Sequence, residues 1–328
     1  MSPKTRAMRA ISVECAAKVN LHLDVLRRLP DGYHEICTVF QRVCLFDTVT
    51  LTEAGSGIRL ECDSHEVPRG EDNLAVRAAA ELASSVGCRR GVLIRLTKRI
   101  PVGAGLGGGS SDAAGVLLGL NRLWELGLSR AELGELGGRL GADVPFFVSG
   151  AGAGVGRGRG DLIEPIASLS GLWFVLASLP FQVRAADAYA LYERPLTVQH
   201  RDPRITLDAL RHKGAGGGAG GGAGGRAGGG GNGGGNVGGG GSGGSSRGET
   251  SRDGGFLLDN ALEDGVVAAH PDIGAVLESL RRAEDCLGAI LSGSGPTAFG
   301  IAASWEGVRR MEAAIRKPHV RAFVVQAA

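Results

Sequence analysis

Apolar and polar positions alternate through residues 11–23 and again through 42–52, where Val43, Leu45, Val49 and Leu51 fall on one face. A period of two predicts strands there, with shorter strands at 57–62 and 91–97. Between and after these the period lengthens to that of a helix. Residues 73–86 carry apolar side chains at helical spacing, and 110–126 place Ala113, Ala114, Leu117, Leu118, Leu120 and Leu123 on one broad face. Ser129 with Glu132 three residues on has the form of a capping box opening a helix over 130–140. The short apolar run 146–148 behind Pro145 predicts a strand. Further along, 172–177 reads as strand, 185–192, 258–267, 273–282 and 306–315 as helices, and 289–291, 297–302 and 322–326 as strands. Strands interleaved with helices predict an α+β protein in two parts, 1–168 and 169–328.

One segment breaks the pattern. From 214 to 248 about two-thirds of the positions are glycine, with no proline and no three-residue period. A collagen helix is excluded on both counts. Such a tract buries too little apolar surface to offset its backbone entropy, so the expectation is a disordered surface insertion in the second part. Loop-closure cost grows slowly with length, which lets a fold carry it.

At 328 residues the chain has room for two cores, and an aromatic share of 5% makes those cores aliphatic. A formal net charge of +2 gives no reason to expect nucleic acid as a partner. No apolar run approaches the roughly 20 residues of a membrane helix. The first ten residues are basic but are not followed by an apolar stretch, so the expectation is a cytoplasmic protein. The six cysteines form no CxxC pair and no Cys/His spacing suited to zinc, and are expected as free, mostly buried thiols. No dedicated metal cage is expected.

Candidate chemistry concentrates in Pro101, Val102, Gly103, Ala104, Gly105, Leu106, Gly107, Gly108, Gly109, Ser110 and Ser111, between a predicted strand and a predicted helix. Glycines let successive N–H groups turn toward one point, and the helix start adds its own unpaired N–H groups. That combination suits a polyphosphate. The loop lacks the terminal Gly-Lys-Ser/Thr of a Walker A motif. Gly103, Gly105 and Gly108 satisfy the dinucleotide spacing, but the loop lies far from the first strand and precedes a helix where that fold needs a strand.

The segment PVGAGLGGGSSDAA is similar to the phosphate loop of the galactokinase–homoserine kinase–mevalonate kinase–phosphomevalonate kinase (GHMP) superfamily. Cys15-Ala-Ala-Lys18-Val-Asn20-Leu-His-Leu23 and Leu291-Ser-Gly-Ser-Gly-Pro-Thr-Ala-Phe-Gly300 resemble its other two signatures, in the right order. Arg28-Leu-Pro-Asp31-Gly32-Tyr33-His34-Glu35, Phe40-Gln41 and Gly141-Ala-Asp143-Val-Pro145-Phe146-Phe147 resemble the diphosphocytidyl-methylerythritol kinases within it. The resemblance covers the chain except the glycine tract. It implies a ribosomal-protein-S5-like N-terminal part and a ferredoxin-like C-terminal part. The implied reaction is ATP-dependent phosphorylation of the 2-hydroxyl of a cytidyl-linked sugar alcohol, with ATP and Mg²⁺; a monomer and a weak homodimer are both open.

Site roles follow from the same resemblance. Asp143 is the expected general base; alone, a carboxylate before Pro145 reads as a cap or turn residue. Lys18 is the second expected catalytic group, and Asn20 lies two residues on, on the same strand face. Asn20, Tyr33 and His34 are expected on the substrate, the last two at the cytosine. Asn73 and Lys98 are expected on the adenine side of ATP, and Ser294 and Gly295 near substrate or phosphates. Two departures stand out: Ala16 replaces the usual proline, and Arg184-Ala185 replaces a usual Ser-Thr pair. Arg184 is there a candidate phosphate contact. Two other readings stay open, another GHMP kinase of the homoserine or mevalonate type and a non-catalytic nucleotide-binding protein. The PDGYHE segment weighs against the first; Lys18, Asp143 and the complete loop weigh against the second.

Overall fold

A computed structural model describes residues 9–192 and 258–328. The expected disordered tract at 214–248 lies outside the described residues.

Two long antiparallel strands organise the first sheet, β1 (Ala10–Arg28) and β2 (His34–Ala54). Both exceed the predicted runs, because the hairpin that joins them continues the ladder to Arg28 and His34. β3 (Ile58–Cys62) and β4 (Gly91–Thr97) extend the sheet beyond β2, which pairs with β4 through Thr48–Ala54. The inner end of the same β2 edge, Thr38–Gln41, pairs with β5 (Ala153–Arg157), which forms a hairpin with β6 (Leu162–Ile166). That hairpin was not predicted, since its glycines and its proline mask the alternation.

Helices α1 (Leu74–Ser85), α2 (Gly108–Leu123), α3 (Arg130–Leu140) and α4 (Val144–Ser149) accompany this sheet. α2 comes very close to the strands, because a Cβ at Gly115 would stand 2.4 Å from Cys15 Sγ. The capping box predicted at Ser129 and Glu132 is present in full. The expected strand at 146–148 is instead α4. Pro145 sits in its first turn, where no N–H is required, and Phe146, Phe147 and Val148 are buried on all sides. A short apolar run carries no period that separates strand from buried helix.

The second sheet runs β11–β7–β10–β9, all antiparallel: β7 (Trp173–Ser178), β9 (Gly288–Leu291), β10 (Ala298–Ala302) and β11 (Arg321–Gln326). Helices α5 (Ala185–Ala190), α6 (Glu263–Ala269), α7 (Pro271–Arg281) and α8 (Trp305–Ala314) lie in the same part of the chain. The helix expected over 258–267 begins only at Glu263. Its first residues form a two-residue strand, β8 (Asp259–Asn260), parallel to β1 at His22 and Leu23.

The layers explain the burial of β1. Ala17, Val19 and Leu21 pack with Phe174, Leu176, Phe299 and Ile301 of the second sheet in one core. A separate core joins the first sheet to α1–α4, and a third fills the space around α6, α7 and α8. The even-numbered residues Lys18 and Asn20 are then buried on the opposite face of β1, where only a specific set of partners makes them tolerable. All six cysteines are free, as expected. Only Cys15 and Cys37 are fully buried and Cys44 is exposed, which corrects the expectation of mostly buried thiols. Among the described residues no helix is long and apolar enough to cross a membrane.

Candidate active site

The glycine loop follows β4 and ends as α2 begins. Gly103, Gly105 and Gly107 have φ of 65°, 75° and 70°, a conformation that side chains disfavour. The loop is wedged against the second sheet. A Cβ at Gly105 would stand 2.2 Å from the Ser292 carbonyl oxygen. Ser292 Oγ donates to the Gly105 carbonyl at 3.0 Å, and Thr297 N–H donates to the Ala104 carbonyl at 3.4 Å. The turn at 291–297 thus forms the floor of the loop, and it contains the cis peptide Gly295–Pro296.

A cavity of about 320 Å³ opens in front of the loop. Pro101, Val102, Gly103, Ala104, Gly105, Gly107, Gly108, Gly109 and Ser110 line it, together with Asn73 and Lys98. Leu106 and Ser111 do not. The Leu106 side chain is buried between the two sheets, and Ser111 is buried in α2. Val67, Pro68 and Leu74 give the cavity an apolar end that suits a flat base, opposite the N–H-rich loop that suits phosphates. The residues present therefore fit ATP.

Asn73 and Lys98 stand on that wall with their polar heads already engaged. Asn73 accepts from Ala75 N–H as the cap of α1 and donates to the Pro68 carbonyl at 2.8 Å. Lys98 Nζ donates to Asp47 at 2.5 Å and to Asp112 at 2.7 Å, and all three side chains are buried. By count, each of the two keeps one further donor hydrogen.

This triad has one more carboxylate than it has cations. Asp47 is well satisfied, because its other oxygen accepts from Arg99 and Ile100 N–H at 2.6 and 2.9 Å. Asp112 Oδ1 has no partner among the described residues. Burial, with the neighbouring Asp47 charge, pushes the Asp112 carboxyl up to about 7 against the opposing pull of Lys98. Its folded pKa thus lies above the unfolded value, about 3.9. The stability this contributes is full below the unfolded pKa and is lost as pH rises through about 7. Asp112→Asn is expected to gain stability relative to the parent as pH rises from about 4 to about 7, and to keep a constant offset above that. Urea midpoints whose offset is already constant between about pH 4 and about pH 7 would contradict a buried acid here.

Lys18 lies under the loop. Its backbone N–H donates to the Leu106 carbonyl at 3.0 Å, and its side chain packs beneath Gly107. Lys18 Nζ donates to Asn20 Oδ1 at 2.7 Å and stands 3.4 Å from Asp143 Oδ2. Asn20 Nδ2 donates to Thr38 Oγ1 at 2.8 Å, and that hydroxyl donates to the His22 carbonyl at 2.7 Å. Every polar atom in this relay has a partner, and it fixes the Asn20 amide with its oxygen toward the ammonium. The Lys18 side chain is 5% exposed and that of Asp143 31% exposed. Asp143 stands at the start of α4 but makes no capping hydrogen bond, so its carboxylate is not committed to the helix.

The structure also brings the C-terminal part to this cluster. A Cβ at Gly293 would stand 3.2 Å from Asn20 Oδ1 and 3.4 Å from Lys18 Nζ. Asn260, which sequence reasoning missed, holds that turn by donating to the Leu291 and Gly293 carbonyls at 2.9 and 2.8 Å. The available signal was a buried amide within an apolar run. A second cavity, of about 370 Å³, is lined by Gly103, Gly105, Gln182, Arg184 and Ser294. Arg184 is the N-cap residue of α5, makes no side-chain cap and pairs with Asp187 at 3.4 Å.

His34 stacks on Tyr189 of α5, with ring centroids 4.8 Å apart and planes within 8°. Burial lowers the His34 pKa, and nearby Arg28 adds to this. Burial, and then the Asp143 charge, raise that of the Tyr189 phenol. Tyr33, the residue before His34, has 59% of its surface exposed. Among the described residues no group of three or more His, Cys, Asp or Glu is placed to hold a metal.

Residues 73–151 match the GHMP kinases N terminal domain, and 246–320 match the GHMP kinases C terminal domain. Both sides of the glycine loop therefore come from this class of ATP-dependent phosphotransferases. A crystal structure of homoserine kinase from Cytophaga hutchinsonii shares the fold at a TM-score of 0.63 and 17% identity, over 99% of this chain and 97% of that one. More specific likenesses follow. A 4-diphosphocytidyl-2-C-methyl-D-erythritol kinase of Symbiobacterium thermophilum is 40% identical over 96% of this chain and 99% of the relative. That of Gloeobacter violaceus is 40% identical over 90% and 86%. A crystal structure of 4-(cytidine 5'-diphospho)-2C-methyl-D-erythritol kinase superposes with a TM-score of 0.72 at 31% identity, over 97% of this chain and all of that one. The chain belongs to the 4-diphosphocytidyl-2-C-methyl-D-erythritol kinase family.

Proposed function

We propose that this protein transfers the γ-phosphoryl group of ATP to the 2-hydroxyl of 4-diphosphocytidyl-2-C-methyl-D-erythritol, giving the 2-phosphate and ADP in the non-mevalonate route to isopentenyl diphosphate. The observation that carries the chemistry is the 3.4 Å approach of Lys18 Nζ to Asp143 Oδ2 directly beneath the glycine loop. Phosphoryl transfer is chiefly positioning and charge stabilisation. Asp143 orients the attacking hydroxyl and accepts its proton as the P–O bond forms. Lys18 pairs with that carboxylate and faces the charge on the transferring group. Asn20 holds the ammonium in place through its side-chain oxygen. The loop N–H groups from Gly103 to Ser110 receive the phosphates. Bound Mg²⁺ would supply further charge neutralisation there, and Ser110 at the start of α2 would be the side chain of the loop to help hold it.

Tyr33 and His34 take the cytosine, the first by stacking and the second by its polar edge. Asn73 and Lys98 contribute their remaining donors on the adenine side, and Ser294 and Gly295 close over the substrate from the second part. Purified protein with ATP and Mg²⁺ is expected to release ADP with the cytidyl substrate and not with homoserine or mevalonate. Turnover of one of those alcohols instead would replace the substrate assignment. Nucleotide binding without turnover of any would support a non-catalytic protein.

A further inference from the structure

The turn between β5 and β6, which no motif in the sequence marked, reaches the exposed aromatic of the substrate side. Gly158 and Gly160 have positive φ, and Arg159 N–H donates to Asp161 Oδ1 at 3.0 Å, so the turn presents the Arg159 side chain outward from a fixed backbone. Ile36 N–H donates to the Gly158 carbonyl at 2.7 Å and ties this turn to the start of β2. The Arg159 guanidinium lies over the Tyr33 ring, 4.3 Å from its centroid, and pairs with Asp31. Asp31 in turn accepts from the Tyr33 backbone N–H at 3.0 Å. The Leu29 N–H donates to the Tyr33 carbonyl at 2.7 Å, which closes the hairpin on that side.

We propose that Arg159 is a positioning residue for substrate recognition, a guanidinium backing that fixes the Tyr33 ring so that its exposed side meets a planar base. This rests on the reading of Tyr33 as a cytosine contact. An aromatic side chain 59% exposed at a hairpin tip has little packing to hold its χ angles. Asp31 fixes the backbone of Tyr33 and the cation that covers its ring, so ring and main chain are held by one unit. A base stacking on a ring already held loses less conformational entropy than one stacking on a mobile ring. The planar guanidinium does this better than an ammonium, because it can lie flat on the ring while an N–H still reaches Asp31.

The test measures steady-state kinetics for Arg159→Ala, Arg159→Lys, Tyr33→Ala and the Arg159/Tyr33 double alanine variant, with cytidine 5'-diphosphate binding by calorimetry alongside. Arg159→Ala is expected to raise KM for the cytidyl substrate and Kd for cytidine diphosphate about fivefold, the size of a partly desolvated cation–π contact. kcat should fall by less than KM rises, and KM for ATP should hold. Arg159→Lys should recover part of the loss. In the Tyr33→Ala background the Arg159 change should add nothing. An equal effect in that background, an unchanged or lowered KM, or a parallel rise in KM for ATP would each overturn the proposal while leaving the function intact. A parent that neither binds cytidine diphosphate nor turns over the cytidyl substrate would overturn both.

Discussion

Asp143→Asn is expected to lower kcat by about a thousandfold, within the range of a lost general base, while the protein stays folded and still binds ATP. The substitution is nearly isosteric. It leaves the Val144 N–H bond to the Gly141 carbonyl in place, and α4 loses no cap, because the Asp143 side chain supplies none. What changes is the ability to accept a proton. The stability cost is expected to be small, about 1 kcal/mol, because Asp143 is partly solvated and Lys18 keeps Asn20 as a partner. Single-turnover rates and melting temperatures on the same preparations separate the two effects. A variant retaining more than about a tenth of parental kcat would remove Asp143 as the base and leave positioning as the main source of rate.

Lys18→Met is expected to cost about a hundred- to a thousandfold in kcat with little change in stability. Methionine fills the same channel beneath Gly107 and beside the Phe40 ring, which the Lys18 ammonium now approaches to 5.6 Å. Removing one partner of a fully buried ion pair is usually severe. Here Asp143 is exposed enough for water to replace the ammonium, so the unpaired carboxylate is tolerated. The exception is the Asn20 carbonyl oxygen, which loses its donor and sets a penalty of about 1 kcal/mol. Activity and stability should therefore separate. A parallel loss of both in kinetics and urea melts would mean that Lys18 serves the fold and not the transition state. A rise in KM for ATP with kcat preserved would mean that it binds nucleotide in the ground state.

The alternation along β1 was enough to place Lys18 and Asn20 on one face, and the glycine run with Ser110 and Ser111 was enough to place a glycine loop running into a helix. The capping box at Ser129 was equally plain. These are local features: the backbone geometry each requires is written in a few consecutive residues. Asp143 was legible only through the likeness of its segment, since a carboxylate before a proline has many ordinary uses.

Other parts of the site depend on residues far apart in the chain. Lys98 was expected on the adenine side of ATP, and Asp47 from β2 and Asp112 from α2 take up two of its ammonium hydrogens. Asn260 looked like part of a helix, and becomes the support of the Gly293 turn because β8 pairs with β1. The Arg159 turn carried no motif, and its meeting with Tyr33 exists because β5 pairs with β2. The sequence by itself determined the glycine loop, the strand that carries the lysine and the class of chemistry. Only the tertiary structure decided which charges remain free to act, because a side chain's partners are set by the pairing of distant strands and by the water that this pairing excludes.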